Sequence, residues 1–196
     1  MIETERLILR RFQLADAAPL AAYRNNPDIA RYQAWPSPLT LEAATEQVRK
    51  YSEQDPEQPG WFQYAIELKA DHSLAGDLGV LLHDNRMQAE LSGTLTPALH
   101  GSGYAIEALQ AILEHLFNKG LHRVSAECDT RNTPSGRLLE RAGFQPEGRR
   151  PEFTQNINTG EWTDTLLFGL LASRWRELTA GARNSRTADQ SGRWAR

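Results

Sequence analysis

A short glycine-rich segment, residues 100–105, is the part of this chain best suited to bind an anion. It reads His-Gly-Ser-Gly-Tyr-Ala and lies between a strand-like run that ends near Pro97 and an apolar pattern of helical period over residues 106–118. The first N–H groups of a helix have no partner within the helix, and they carry partial positive charge. Glycines let the preceding loop curl with its own N–H groups turned inward. The segment therefore predicts a phosphate or pyrophosphate site at the start of a helix.

Two common phosphate loops fit this segment poorly. The P-loop pattern G-x-x-x-x-G-K-[ST] does not occur in the chain. The dinucleotide pattern G-x-G-x-x-G is met at Gly101 and Gly103, but Ile106 stands at the third glycine, where a branched side chain hinders packing of the helix on the strand. Glu127 is an acidic residue near the expected distance downstream, so the dinucleotide alternative stays open.

The segment resembles the coenzyme A pyrophosphate motif of the GNAT superfamily of N-acetyltransferases, [QR]-x-x-G-x-[GA]. Further matches follow in chain order and cover roughly residues 4–175. They resemble the ribosomal-protein alanine N-acetyltransferases, the RimJ/RimL-like branch, and they lie at 4–10, 89–91, 104–108, 132–144 and 160–164. His100 departs from the motif, which usually has Gln or Arg at that position.

The resemblance implies that acetyl-CoA is the co-substrate and that no metal takes part. The glycine segment would hold the pyrophosphate, the end of the preceding strand would pair with the pantetheine arm, and the start of a later helix would contact the cofactor. The implied cofactor-binding residues are Leu95, His100, Gly101, Ser102, Gly103, Tyr104, Ala105, Asn132 and Ser135.

Direct acetyl transfer to an amine uses a base for the amine and an acid for the leaving thiolate. Many members of the superfamily have a tyrosine acid where this chain has Leu139, and the resemblance to the alanine branch implies Ser135 instead. The base is predicted to be Glu152, with Glu90 as the alternative. Two simpler explanations stay open: Asn132 and Ser135 start a helix, and water accepts the proton of an N-terminal amine, whose pKa is near 8.

The elements expected to position these residues belong to one mixed domain. Apolar alternation or continuous apolar runs predict strands at 6–12, 61–68, 73–83, 87–95, 123–128, from 144 onward, and at 166–171. Helical periodicity predicts helices at 17–24, 41–53, 106–118 and 132–142, with a short helical segment at 174–178. We expect an α/β (α+β) GNAT fold with a mixed, mostly antiparallel sheet of about seven strands flanked by about four helices, and a crossover through the glycine segment that joins parallel strands. Residues 1–178 are predicted to form a single acetyltransferase domain, and residues 179–196 a polar, flexible C-terminal tail.

Composition limits the kinds of partner that we expect for this protein. The 196-residue chain has a net charge of −3 and no basic stripe, which argues against a nucleic-acid partner. No apolar run approaches the length of a membrane span, and the N-terminus has no signal-peptide pattern. The single cysteine, Cys128, cannot form an intrachain disulfide and fits a reducing compartment. We therefore expect a cytoplasmic monomer or homodimer without nucleic-acid or membrane partners.

The acceptor stays open at this point. The branch resemblance implies an acetyl-CoA-dependent N-acetyltransferase for a primary amine, with a protein N-terminus as one candidate acceptor. A small amine such as an aminoglycoside or a polyamine is the alternative. A non-catalytic acyl-CoA-binding or sensing module on the same scaffold is the rival from another functional class.

Overall fold

The computed structural model describes residues 1–33 and 35–191, with side chains up to residue 181. One eight-stranded sheet runs through the molecule in the order β1-β2-β3-β4-β5-β6-β8-β7. All neighbouring strands are antiparallel except β5 and β6, which are parallel. The strands are β1 (Ile2–Glu3), β2 (Leu7–Arg11), β3 (Gly60–Leu68), β4 (Leu74–Leu82), β5 (Gln88–Leu95), β6 (Arg123–Asp129), β7 (Gln145–Gln155) and β8 (Trp162–Leu171).

Helices cover the two faces of this sheet as separate layers. The helices are α1 (Ala17–Arg24), α2 (Pro27–Ala30), α3 (Leu41–Glu53), α4 (Tyr104–Asn118), α5 (Thr133–Arg141) and α6 (Ala172–Ser191). The main core joins one face of the sheet to α4 and α5, with Ile112 and Leu113 fully buried. A smaller core joins α1 and α3 to the opposite face, around Leu20 and Val48. The predicted mixed, mostly antiparallel fold is confirmed.

Strands β5 and β6 separate near the middle of the sheet. Their parallel pairing begins at Gln88 with Arg123 and ends at Leu91 with Ala126. Beyond that point β5 continues to Leu95 paired only with β4, while β6 continues to Asp129 paired only with β8. The two strands therefore diverge into a gap directly before the glycine segment and α4, and the predicted crossover between parallel strands is confirmed.

The layer of α1–α3 is tied to the sheet by a buried ion pair. Arg24 of α1 donates to the Asp77 carboxylate of β4, and the two residues are 4% and 2% exposed. The Trp35 ring lies over the Arg24 guanidinium, with 4.4 Å between the guanidinium carbon and the ring centroid. Because burying either charge alone is costly, the pair holds α1 in one position on the sheet.

The C-terminal segment is helical as far as the structure describes it. α6 spans Ala172–Ser191, so it includes the helical segment predicted at 174–178 and continues into the predicted tail from residue 179. Residues 172–191 contain no proline and include alanine, arginine and glutamine, which favour helix. The flexibility of the tail stays a prediction. Residues 192–196 of the predicted tail lie outside the described residues, and the domain boundary at 178 stays a prediction.

Two smaller differences concern the remaining elements. The sheet gains the two-residue strand β1, and α2 adds one short turn that the sequence pattern did not predict. The Asp16 side chain, directly before α1, accepts hydrogen bonds from Arg10 and from the Gln13 N–H and makes no capping bond to that helix. Within the described residues, every helix is too short or too polar to cross a membrane.

Candidate active site

The glycine segment presents a run of backbone donors at the N-terminus of α4. The N–H groups of residues 101–106 make no hydrogen bond within the described part of the chain, and the first bonded one is that of Glu107, which donates to the Gly103 carbonyl at 3.1 Å. Gly101 and Gly103 have φ of +74° and +84°, the left-handed conformation that favours glycine. Six consecutive free donors at the positive end of a 15-residue helix are suited to bind a phosphate or pyrophosphate.

His100 links this segment to the end of β5. Its Nε2 lies 2.9 Å from the carbonyl oxygen of Leu95, the last residue of the strand. A carbonyl oxygen only accepts, so Nε2 carries the proton and donates. The His100 ring therefore links the end of β5, beside the gap, to the start of the glycine segment. Where the motif has Gln or Arg, this chain has a histidine that is hydrogen-bonded to the preceding strand.

The start of α5 brings Asn132 and Ser135 beside β6. Asn132 is the N-cap of α5, and its side-chain oxygen accepts from the Ser135 N–H at 3.3 Å. Its amide nitrogen makes no hydrogen bond within the described residues, so Asn132 caps the helix and still offers a donor. Leu139, one turn further on, is buried in the main core and cannot reach a substrate.

The Ser135 side chain lies against Cys128 of β6. Burial raises the pKa of the Cys128 thiol, and a hydrogen bond with Ser135 opposes that rise. The thiol is therefore protonated at neutral pH, which fits a packed cysteine rather than a nucleophile. Ser135 keeps a partly buried hydroxyl on the side of the gap that carries α4 and α5.

Two carboxylates face each other on the opposite side of the gap. Glu90 of β5 and Glu127 of β6 line a cavity of about 200 Å³ together with Arg123, Glu147 and Arg150. Burial raises the pKa of Glu127, and the nearby Glu90 carboxylate raises it further, while Arg150, 3.5 Å away, opposes the rise. A carboxylate with a raised pKa in a cleft is a candidate proton acceptor.

Sequence reasoning considered Glu127 only as part of a dinucleotide site. The sequence did contain a signal for it, because Ser125 and Glu127 alternate with the apolar Val124, Ala126 and Cys128. Alternation places Glu127 on the sheet face opposite α4, directly after the last β5–β6 pair. The missing information was which strand lies beside β6.

Glu152 occupies a different environment. It lies in an irregular part of β7 between Arg150 and Thr154, has a φ of +44°, and its N–H donates to Asp164 at 2.7 Å. Its carboxylate is exposed and makes no hydrogen bond within the described residues. Glu90 and Glu127 thus share a cavity, whereas Glu152 stands on the edge strand of the sheet.

The loop after α2 and the turn between β7 and β8 are joined in the structure. The Asn158 side chain accepts from the Ser37 N–H at 2.9 Å and donates to the Trp35 carbonyl at 3.0 Å. Asn156 donates to the Arg31 carbonyl at 3.0 Å. These bonds hold residues 31–37 against the turn between β7 and β8.

The arrangement can hold a long thioester across the sheet with an amine on the other side. The free N–H groups of 101–106 fit a pyrophosphate, the gap between β5 and β6 leaves strand backbone without a sheet partner, and the carboxylate pair lies on the far face. Among the described residues, no group of three or more His, Cys, Asp or Glu is placed to hold a metal ion. Metal-free chemistry stays a prediction.

Comparison with known proteins agrees with this geometry. The sequence pattern of the acetyltransferase (GNAT) domain matches residues 6–145. The uncharacterised N-acetyltransferase YoaA of Bacillus subtilis is 30% identical over 176 residues, 89% of this chain and 98% of the relative. A GNAT-family acetyltransferase from Bacillus anthracis superposes with a TM-score of 0.78 at 26% identity, over 88% of this chain and 98% of the other. The [ribosomal protein uS5]-alanine N-acetyltransferase of Escherichia coli is 33% identical over 76 residues, 38% of each chain.

An open sheet with a parted pair of parallel strands and an anion site at the following helix defines a class of acyl-CoA enzymes, and this chain belongs to the GNAT family of acetyltransferases. More particularly, it is an N-acetyltransferase that takes its acetyl group from acetyl-CoA.

Proposed function

We propose that this enzyme acetylates the free N-terminus of a protein by direct attack of the amine on acetyl-CoA, in the manner of the RimJ/RimL-like branch. The observation that carries the donor side is the run of six unpaired N–H groups at the start of α4, beside the gap between β5 and β6. The partial match to the uS5-alanine enzyme supports the acceptor class.

The residues proposed to bind acetyl-CoA and to protonate the leaving thiolate lie on the face of the sheet that carries α4 and α5. Gly101 and Gly103 let the free N–H groups hold the pyrophosphate, with Ser102, Tyr104 and Ala105 supplying donors of the same run. Asn132 offers its amide nitrogen to the bound co-substrate. Ser135 donates a proton to the departing sulfur, because its hydroxyl lies on the face that carries α4 and α5.

The carboxylates on the other face receive the amine. Glu127 and Glu90 attract the protonated amine by charge, and Glu127 accepts a proton as the amine attacks. The raised pKa of Glu127 suits this step, since a stronger base takes a proton from an amine more readily. Glu152, the base expected from the sequence, is exposed on β7, and the Glu127→Gln and Glu152→Gln variants below distinguish it from Glu127.

The joined loops bear on the acceptor class. The bonds from Asn156 and Asn158 to residues 31–37 tie the loop after α2 to the turn between β7 and β8. We propose that a peptide N-terminus reaches the carboxylates past these loops. A small amine such as a polyamine or an aminoglycoside is the second candidate, supported by the acidic character of the Glu90–Glu127 cavity.

An assay of thiol release over a panel of amines tests the proposal. Peptides with a free N-terminus, the same peptides blocked at the N-terminus, spermidine and an aminoglycoside are each incubated with acetyl-CoA. We expect thiol release and a mass increase of one acetyl group with the free peptides only. Release with spermidine alone would establish the small-amine alternative, and tight CoA binding without release from any amine would establish a binding module.

The proposal includes the setting in which the enzyme works. A single, protonated thiol fits a reducing cytoplasm, and the fold places the proposed acid and base residues in one chain. We therefore propose a cytoplasmic enzyme that acts as a monomer or a homodimer.

A further inference from the structure

Arg6, which precedes β2, is bound to the glycine segment although 96 residues separate it from Ser102 in the chain. One guanidinium nitrogen, Nη1, donates to the Ser102 carbonyl at 3.0 Å. The other two, Nε and Nη2, each lie 2.6 Å from the Glu107 carboxylate in the first turn of α4. The guanidinium also stacks on the Tyr104 ring, with 4.0 Å from its central carbon to the ring centroid.

This binding decides which way one peptide bond of the anion site points. The C=O and N–H of a trans peptide point in opposite directions. Because the Ser102 carbonyl turns toward Arg6, the N–H of Gly103 in the same peptide turns away from it. The left-handed φ of Gly103 would otherwise let that peptide rotate freely, since glycine tolerates many conformations.

Arg6 is poorly placed to bind a phosphate itself. All three of its guanidinium nitrogens are engaged, and its charge is compensated by Glu107. Burial would raise the pKa of Glu107, but hydrogen bonds from Thr4 and from Arg6 outweigh it and lower the pKa, so the carboxylate stays ionised. The pair is therefore a fixed structural unit beside the loop.

We infer that Arg6 is a positioning residue that holds the Ser102–Gly103 peptide, and with it the pyrophosphate-binding N–H groups, in the orientation that receives acetyl-CoA. The inference rests on the proposed donor site and adds a residue outside the glycine motif to it. Glu107 and Tyr104 orient Arg6 from the helix side, so the N-terminal strand and α4 set the loop together.

Two acetyl donors separate positioning from general stability. S-acetylpantetheine carries the thioester but lacks the pyrophosphate and the nucleotide. The Arg6→Ala variant should raise KM for acetyl-CoA about tenfold, as expected for losing one charge-assisted hydrogen bond. Its kcat/KM for S-acetylpantetheine should stay within about twofold of wild type, since that donor does not contact the loop.

A second variant and a control keep the test decisive. Arg6→Lys retains the ion pair with Glu107, yet a lysine cannot also reach Ser102 in a fixed fork and stack on Tyr104, so it should show most of the same selective loss. Lys69→Ala removes an exposed ion pair to Glu3 in the same N-terminal region without touching the loop, and it should behave as wild type with both donors.

The possible results distinguish the role of Arg6 from the existence of the donor site. Equal losses with the two donors, or no change with acetyl-CoA, would overturn the positioning role of Arg6. Calorimetric titration with CoA separates this from the proposed function: a wild-type protein that binds no CoA refutes the donor site itself. Wild-type CoA binding that Arg6→Lys leaves unchanged refutes the role of Arg6 alone.

Discussion

Replacing Gly101 by alanine tests the predicted anion site, and the expected size of the effect follows from the backbone conformation of Gly101. Gly101 has a φ of +74°, and a β-carbon built there meets no atom within 4 Å, so the substitution adds strain without a clash. The left-handed conformation costs a non-glycine residue about 1–2 kcal/mol. The unfolded chain loses conformational freedom on the same substitution, which returns about 0.4–1 kcal/mol. The net loss in the free energy of unfolding is about 1 kcal/mol. If the strain also turns the loop N–H groups away from the ligand, the same energy corresponds to about a fivefold loss of CoA affinity.

Gly120 supplies a matched control at the opposite end of α4. Its φ is +90°, and a β-carbon there also meets nothing within 4 Å. Thermal unfolding should show the same loss for Gly101→Ala and Gly120→Ala, about 2–4 °C for a chain of this size. Calorimetric titration with CoA should show weaker binding for Gly101→Ala only.

One result would contradict the predicted pyrophosphate site. Equal CoA affinities for the two alanine variants would show that the N–H groups after Gly101 do not bind the pyrophosphate. Gly103→Trp gives a stronger version of the test, because its ring occupies the loop. We expect that variant to lose CoA binding while its circular dichroism spectrum stays that of the wild type.

Three further predictions concern the acid, the base and the buried ion pair. Ser135→Ala should lower kcat about a hundredfold with unchanged CoA affinity; an unchanged single-turnover rate would remove Ser135 from the mechanism. The raised pKa of Glu127 should move the acidic limb of kcat/KM above the ordinary carboxylate range, and Glu127→Gln should abolish that limb, whereas Glu152→Gln should retain it. Glu127 binds its proton more tightly in the folded state than in the unfolded state. Its ionisation therefore lowers the free energy of unfolding as the pH rises from the unfolded-state pKa to the folded-state pKa. Glu127→Gln should raise the Tm at neutral pH, and a lower Tm would contradict the raised pKa. Asp77→Asn leaves Arg24 buried without its carboxylate and should cost about 3 kcal/mol in urea unfolding; a loss below about 1 kcal/mol would show that water solvates the guanidinium.

Features encoded within a few residues were predictable from the sequence. The free N–H groups at the start of α4 follow from two glycines and the helical pattern after them, and the start of α5 follows from Asn132. Each of these depends on hydrogen bonds between residues no more than about four positions apart. The parallel crossover through the glycine segment was predictable on a different ground, because strand–helix–strand connections follow general rules of chain topology.

Neighbours far apart in the chain needed the tertiary structure. The contact of Arg6 with Ser102, the cavity that Glu90 and Glu127 share, and the bonds of Asn158 to residues 35–37 all depend on strand order and register. A shift of one residue in register moves every side chain of a strand to the other face of the sheet.

By itself, the sequence predicted an anion site at residues 100–105 and the strand–loop–helix unit that carries it, because glycine conformation and unpaired helix N–H groups are local properties. Only the tertiary structure decided which carboxylates share a cavity on the far face, and which arginine holds the loop open to its ligand. Those choices arise from packing and strand register, in which residues some hundred positions apart become neighbours.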